Sequence, residues 1–479
     1  MFDPESYPME VFEVDPDNDN SAYSNDDKNE ISTEQIDYQT EDYNVNNSRS
    51  SNSDSNVSYC GIRGNSILSG ILNISASTVG AGCFTFPWII STLGLFNSIF
   101  IFSVVSVCIY YSLDLLRSFV VDTKNFSFSS ITDKTLGKKW LMLYSFSSFI
   151  YYLSININYM SLLYSIFKSL FIDNPTFYGF IYLLVSCSIE IFLCLYTSKT
   201  AKMHLFSIIT MFSFALIVLV TTTEGIHSFF GNNFDKFNQK KLLNPSEDQG
   251  GWQMFFISIT ACIKYIYGYS YHSSFPTLLG NLKNINDSTS KRVHKMSFFI
   301  ICGSYILISF FGYLIEEPVP RVLYRGYEDS YKKDYFTIAL KFIIFVFLFS
   351  LIPSRYITIR DGYTCLIGKD KLTYKKDLLI TTLSLVISNG IVFINEEVIN
   401  EDSNFEIDIF SIFVYIFGGL FGVIICFGLP VINYAAINGK KKFKSLIGYT
   451  ITGIFFVVGL LSFGYSFNEM FIPKNDEEE

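Results

Sequence analysis

The chain has 479 residues, 49% of them hydrophobic and 18% aromatic, and a formal net charge of -9. Apolar runs recur along most of its length, which excludes a string of soluble domains of about 100–200 residues, each alternating apolar with polar stretches. Acid is gathered near the amino terminus, so the global charge says little about partners, and nucleic acid is not expected among them.

Residues 1–60 are rich in Asp, Asn, Ser and Glu without an apolar period, so the composition predicts a disordered tail. No basic start followed by an apolar run and a small-residue cleavage site is present there, so no signal peptide is expected. From about Ile67 the texture changes. About eleven segments of roughly 20 residues follow, long enough to cross a hydrocarbon core of about 30 Å. They cover 66–91, 95–119, 139–171, 177–196, 203–229, 252–279, 296–316, 335–359, 378–395, 407–436 and 443–468. Lipid offers backbone groups no water, so each must be helical. The expected organisation is therefore an all-α integral membrane domain over 61–468, with an acidic tail over 469–479.

Basic residues alternate between the loops. Lys134, Lys138 and Lys139 follow the second span, Lys199 and Lys202 the fourth, and Lys283, Lys291, Arg292 and Lys295 the sixth. Arg355, Arg360, Lys369, Lys371, Lys375 and Lys376 are assigned to the loop after the eighth, and Lys440, Lys441, Lys442 and Lys444 to that after the tenth. The excess of Lys and Arg on cytoplasmic loops places the amino terminus in the cytosol and Asp476-Glu477-Glu478-Glu479 outside or in a lumen. A plasma membrane and a vacuolar or lysosomal membrane fit equally. Nearly all nine cysteines fall within spans, so no structural disulfide is expected. The sequons Asn46-Asn47-Ser48 and Asn56-Val57-Ser58 lie in the cytosolic tail.

Span one carries Ser75-Ala76-Ser77-Thr78-Val79-Gly80-Ala81-Gly82-Cys83-Phe84-Thr85-Phe86-Pro87, and span six carries Ile263-Lys264-Tyr265-Ile266-Tyr267-Gly268-Tyr269-Ser270-Tyr271-His272-Ser273-Ser274-Phe275-Pro276. Small residues also pack helices closely. Two interrupted spans at corresponding places in two halves, however, are the sequence pointer to a transporter site, with half-helix amino ends toward anionic groups and carbonyl ends toward cations. Spans one and six fit two five-helix repeats with an eleventh helix appended.

At these residues the chain resembles the amino acid/auxin permease family, above all the sodium-coupled neutral amino acid transporters. Val79-Gly80-Ala81-Gly82 with Pro87 is similar to that family's V-G-x-G…P signature. His272 to Leu282 is similar to its C-H-x-x-x-L-P-I-Y-x-E-L stretch, continuing through Lys291 to Ser297 and Phe311-Gly312-Tyr313-Leu314. Pro353 and Ile359-Arg360 match a weaker pattern. The resemblance covers about 62–468. It implies a LeuT-type inverted repeat and secondary active transport of an amino acid, neutral rather than charged, by alternating access. Ala76 stands where the family has a sodium-associated Asn, and Leu351, beside Ser350, where a hydroxyl is expected. A proton is therefore favoured over sodium as the coupling ion. No cofactor is implied, and the partners are an amino acid, a proton or sodium, and the lipid bilayer.

On this reading Thr78, Val79, Gly80, Ala81, Gly82, Cys83, Tyr267, Gly268, Tyr269 and Asn156 are candidates for substrate binding. His272, Lys264, Ser75 and Ser350 are candidates for ion coupling or gating. Amides of Gly80 to Cys83 would hold a carboxylate and carbonyls of Tyr267 to Tyr269 would accept from an ammonium group. A charge at mid-span such as Lys264 costs roughly 3 kcal/mol or more unless paired or hydrated, and the competing reading is that it snorkels to the lumenal interface. Lys341 is expected to snorkel, Asp114 and Glu190 to pair locally with Arg117 or Lys199, and His272 either to titrate or to cap the broken helix. Tyr265, Tyr267, Tyr269 and Tyr271 cannot share one helical face. Of Asn156 and Asn158, at least one is expected as interhelical glue.

Other classes leave traces that are missing. There is no H-E-x-x-H pair, no paired intramembrane aspartates and no Cys/His cluster with metal-ligand spacing, so no enzyme and no metal site is expected. A nutrient sensor signalling through residues 1–56 is the alternative reading.

Overall fold

The computed structural model describes residues 66–170, 175–197, 203–230, 251–269, 271–315, 319, 323, 335–368, 373–395, 413–438 and 443–471. The chain divides into the units Met1–Asn46 and Asn47–Glu479, and all described residues belong to the second. The expected disordered tail, both sequons, Lys199, Ser270 and the acidic carboxyl-terminal tail lie outside the described residues.

The described elements are helical. In chain order they are α1 (Ile67–Thr78), a 3₁₀ turn (Ala81–Thr85), α2 (Phe86–Leu93), α3 (Leu95–Thr123), α4 (Phe128–Leu136), α5 (Lys138–Leu170), α6 (Pro175–Thr197) and α7 (Met203–Phe230). There follow α8 (Gly251–Gly268), α9 (Phe275–Gly280), α10 (Asp287–Ile315), α11 (Tyr335–Ile367) and α12 (Tyr374–Ile394). Two π-helical stretches (Phe413–Gly422 and Ile424–Gly428) lead into α13 (Leu429–Asn438), and α14 (Phe443–Phe471) closes the series.

Among the described residues, seven helices are long and apolar enough to cross a membrane, and the bent pair Ile67–Thr78 and Ala81–Leu93 makes an eighth. The spans expected over 139–171, 177–196 and 252–279 are not among them, although helices occupy all three. The centre of α5 is rich in Ser, Tyr and Asn, only Leu184–Leu195 of α6 forms an apolar helix of its own, and α8 stops at Gly268.

Local chemistry explains the first span. Ser66 caps α1 by accepting from Ser69 N at 3.3 Å, which satisfies one of the donors a helix start leaves open. Val79 and Gly80 are extended, and Pro87 lies in the first turn of α2, where a missing N–H costs no intrahelical bond. The two halves meet at 56°. Gly94, at φ 79°, makes the turn into α3 in a conformation that strains any residue with a Cβ.

α11 packs along α5 and α7, α10 packs along α7, α1 and α2, and α12 lies on α6. α1, the 3₁₀ turn, α5, α8, α10 and α11 all contribute to one continuous core. Outward faces of α7, α12 and α14 carry exposed apolar residues such as Phe212, Leu383 and Val457, as a lipid-facing surface requires. Asp114 pairs with Arg117 as expected (2.8 Å), and Arg117 also reaches Asp287 at 2.6 Å, tying α3 to the start of α10. α14 meets the first π-helical stretch backbone to backbone: a Cβ on Gly459 would lie 2.2 Å from Gly419 O. Gly459→Ala is expected to destabilise the protein by about 1–3 kcal/mol or more, because overpacking against backbone finds no side chain to yield. A lowered unfolding midpoint of the detergent-solubilised protein checks this.

The structure corrects several expectations. Arg355 and Arg360 are not loop residues: both lie inside α11, which runs on to Ile367, and Arg355 is 2% exposed. The loop reading failed because Pro353 and Ser354 read as the end of the apolar run, whereas the helix continues through them. Lys341 does not snorkel but is buried. Glu190 lies inside α6, and its expected partner Lys199 is outside the described residues. Its side chain is buried and accepts from Asn389 Nδ2 of α12 at 3.0 Å.

Candidate substrate site at two broken helices

Span one breaks at Val79–Gly80. Span six breaks between Gly268, the last residue of α8, and Phe275, the first of α9. The two interruptions face each other in the core: a Cβ on Gly82 would stand 3.4 Å from Gly268 Cα, and one on Gly268 would stand 2.7 Å from the Phe86 ring. Only residues without side chains let the half-helices approach so closely.

Around this crossing the first break offers donors. Gly80 adopts φ −144°, ψ 173°, and no side chain caps the 3₁₀ turn that follows. Cys83 N already bonds Gly80 O at 3.3 Å, so of the expected carboxylate-holding amides this one is engaged. Tyr159 of α5 reaches the break: a Cβ on Gly80 would lie 2.6 Å from its hydroxyl and 3.6 Å from Arg355 Nη2. The Arg355 guanidinium and the Ala81 backbone both act electrostatically on that hydroxyl. Arg355 follows Pro353, whose missing N–H interrupts the α11 hydrogen-bond ladder just before it. A guanidinium, an amide-rich turn and a tyrosine hydroxyl therefore converge on Gly80, an arrangement suited to a planar anion such as a carboxylate.

Tyr267 points from α8 toward α5, where its hydroxyl accepts from Asn158 Nδ2 at 2.7 Å. Its ring also borders Gly82 and Gly418. Asn158 thus makes the expected interhelical bond, and Asn156 is buried beside it with Oδ1 lacking a hydrogen-bond partner. Tyr269 turns the other way: its hydroxyl contacts Ser106 at 2.9 Å and its ring stacks on Phe298. Its side chain belongs to the α3–α10 packing and not to the crossing. Of the expected ammonium-binding carbonyls, Gly268 O accepts from Tyr305 at 2.7 Å and Tyr269 O from Tyr271 N at 2.9 Å.

The candidates for ion coupling scatter. Lys264 is buried with its ammonium 3.9 Å from the centre of the Trp88 ring, a cation–π contact between α8 and α2. Ser350 bonds Thr210 of α7 at 2.7 Å. Ser75 Oγ is buried and makes no hydrogen bond, and Thr78 Oγ1 donates back to Ile74 O at 2.7 Å. His272 is fully buried between the break and α9, and both of its ring nitrogens lack hydrogen bonds.

Three residues of the crossing had gone unread. Arg355 was hidden by its assignment to a loop. Tyr159 and Tyr305 were two among 32 tyrosines. The spacing of Tyr159 from Asn156, one helical turn, is the signal that could have marked it.

Comparison with known proteins agrees with this architecture. The family model described as transmembrane amino acid transporter protein matches residues 63–472. No curated protein matches the sequence. Among solved structures, a substrate-bound, outward-open Na+-coupled sialic acid symporter is similar over 84% of this chain and 92% of its own, at 12% identity and TM-score 0.53. A manganese transporter from Eremococcus coleocola is similar over 86% of this chain and 88% of its own, at 13% identity and TM-score 0.55. At such identities the likeness establishes the fold, that of LeuT-like helical transporters.

Proposed function

The chain belongs to the transmembrane amino acid transporter family, and from that premise we propose that it carries a neutral amino acid across a membrane by alternating access. The substrate carboxylate lies at the first break, held by the guanidinium of Arg355, the hydroxyl of Tyr159 and the amides at the start of the 3₁₀ turn. The ammonium group faces the second break, at the carbonyl end of α8. The side chain lies against the aromatic surfaces of Tyr267 and Tyr151, whose rings meet edge to face.

The observation that carries this reading is the convergence of Arg355 and Tyr159 on Gly80. A cation buried in a membrane domain is expensive, and such residues mark substrate pathways. Two broken spans with a fixed positive charge at the amino end of one half-helix suit a ligand whose anionic group is compact and planar. Alternating access then consists of rocking α1, α8 and α10 against α5 and α11 around the bound molecule. A proton is the coupling ion this reading favours.

Binding tests it directly. Amino acids are expected to raise the unfolding midpoint of the purified full chain, whereas the corresponding amino acid amides and decarboxylated amines are not. A ligand at about 100 times its Kd stabilises by about 2.7 kcal/mol, readily measured as a midpoint shift. Equal stabilisation by acids and amides would remove the carboxylate anchor from the account.

A further inference from the structure

Tyr305 of α10 is fully buried between the two interrupted spans. Its hydroxyl donates to Gly268 O, at the carboxyl end of α8, at 2.7 Å, and lies 3.5 Å from Thr78 O, at the carboxyl end of α1. These carbonyls end two half-helices. The last carbonyls of a helix have no intrahelical donor and carry the negative end of the macrodipole. In transporters with broken helices such ends coordinate the coupling cation. Here both converge on one phenolic oxygen. Phe86 stands edge-on to the Tyr305 ring at 5.2 Å and Tyr269 at 5.4 Å, so aromatic rings hold the Tyr305 ring in place.

We propose that the Tyr305 hydroxyl takes the place of a cation between the carboxyl ends of α1 and α8, so that substrate is carried without sodium. One O–H proton, aimed at Gly268 O and within reach of Thr78 O, supplies the positive end of a dipole where an ion would supply a full charge. The hydroxyl oxygen also occupies the point between the two carbonyls where such an ion would sit. A hard cation requires several oxygen ligands converging at short range. The nearest side-chain hydroxyl of α1, Thr78 Oγ1, is committed to Ile74 O. At the first break the fixed charge is the Arg355 guanidinium beside Gly80.

The inference rests on the carrier reading above, and its experiment separates the two. The unfolding midpoint of the purified full chain is measured in sodium chloride and in choline chloride at equal ionic strength, for the wild type and for Tyr305→Phe. The wild type is expected to show the same midpoint in both salts. Tyr305→Phe removes the donor and leaves both carbonyls facing one gap. Its midpoint should be lower in choline and should recover by several degrees in sodium, since a ligand that binds only the folded state stabilises it. A residue that merely filled space would lower the midpoint equally in both salts. Counterflow uptake should follow the same pattern, independent of sodium in the wild type and stimulated severalfold by it in Tyr305→Phe. A sodium-specific rise in wild-type midpoint or uptake would overturn the proposal, as would a Tyr305→Phe protein indifferent to the salt. Should Tyr305→Phe fail to fold, the wild-type comparison still decides. Because the midpoints need no substrate, absence of uptake in every arm would count against the carrier reading alone.

Discussion

Arg355→Gln is expected to lower amino acid uptake by more than roughly 30-fold, because truncating one partner of a buried, hydrogen-bonded charge pair costs about 2–5 kcal/mol and about 1.4 kcal/mol is tenfold. The loss follows from where the residue sits. Arg355 is buried in α11, and its guanidinium and the Tyr159 hydroxyl both border the Gly80 break. Gln keeps hydrogen-bonding capacity but not charge, so the deficit should appear as a raised KM for uptake. Arg355→Lys keeps the charge as a compact point without the planar fork that matches a carboxylate. Its KM is expected to fall between those of wild type and Arg355→Gln. Folding of each variant is checked by its elution as a single species in detergent. Unchanged KM in a folded Arg355→Gln protein would take this residue out of the substrate site.

Gly80→Ala is the second large effect. The backbone at Gly80 is extended and any residue adopts it, so the obstacle is space. The new methyl would sit 2.6 Å from the Tyr159 hydroxyl, which must move away from the break. Overpacking of this kind costs about 1–3 kcal/mol, equivalent to roughly five- to 150-fold in affinity. Tyr159→Phe removes the obstructing oxygen, and the nearest remaining ring atom, Cζ, stands 3.7 Å from the methyl, an ordinary contact. The double variant Gly80→Ala with Tyr159→Phe is therefore expected to fold and transport better than Gly80→Ala alone, although Tyr159→Phe by itself impairs uptake. Residues in contact are where such non-additivity belongs. Strictly additive losses in the cycle would show that the two residues do not meet as described.

The sequence made the breaks legible because helix-breaking composition is local: Gly80, Gly82 and Pro87 in one span, Gly268 and Pro276 in another, each inside an apolar run. The long spans were legible for the same reason, since the length of an apolar run is a local property. What pairs across the core was not. The positive-inside count absorbed Arg355 because its flank, Ile-Pro-Ser before and Tyr-Ile-Thr after, reads as the end of a span, yet α11 continues to Ile367. Tyr305 carries no mark in its own helix; its role comes from two carbonyls contributed by α1 and α8. Lys264 stood out as a charge in an apolar run, but its partner is Trp88, on a different helix. Ser350 was singled out beside a missing family hydroxyl, and the structure joins it to Thr210, on a helix that reading had not considered. Long-range partners, in each case, decide what a polar group in the membrane is for.

Counterflow uptake tests the central claim most directly. The purified full chain is reconstituted into liposomes loaded with an unlabelled neutral amino acid mixture, and entry of the radiolabelled mixture is followed in sodium and in choline medium. The account predicts accumulation well above protein-free liposomes, equal in the two media, and lowered by more than roughly 30-fold in Arg355→Gln. Uptake no greater than in protein-free liposomes for every amino acid, by protein shown to be folded, would contradict it.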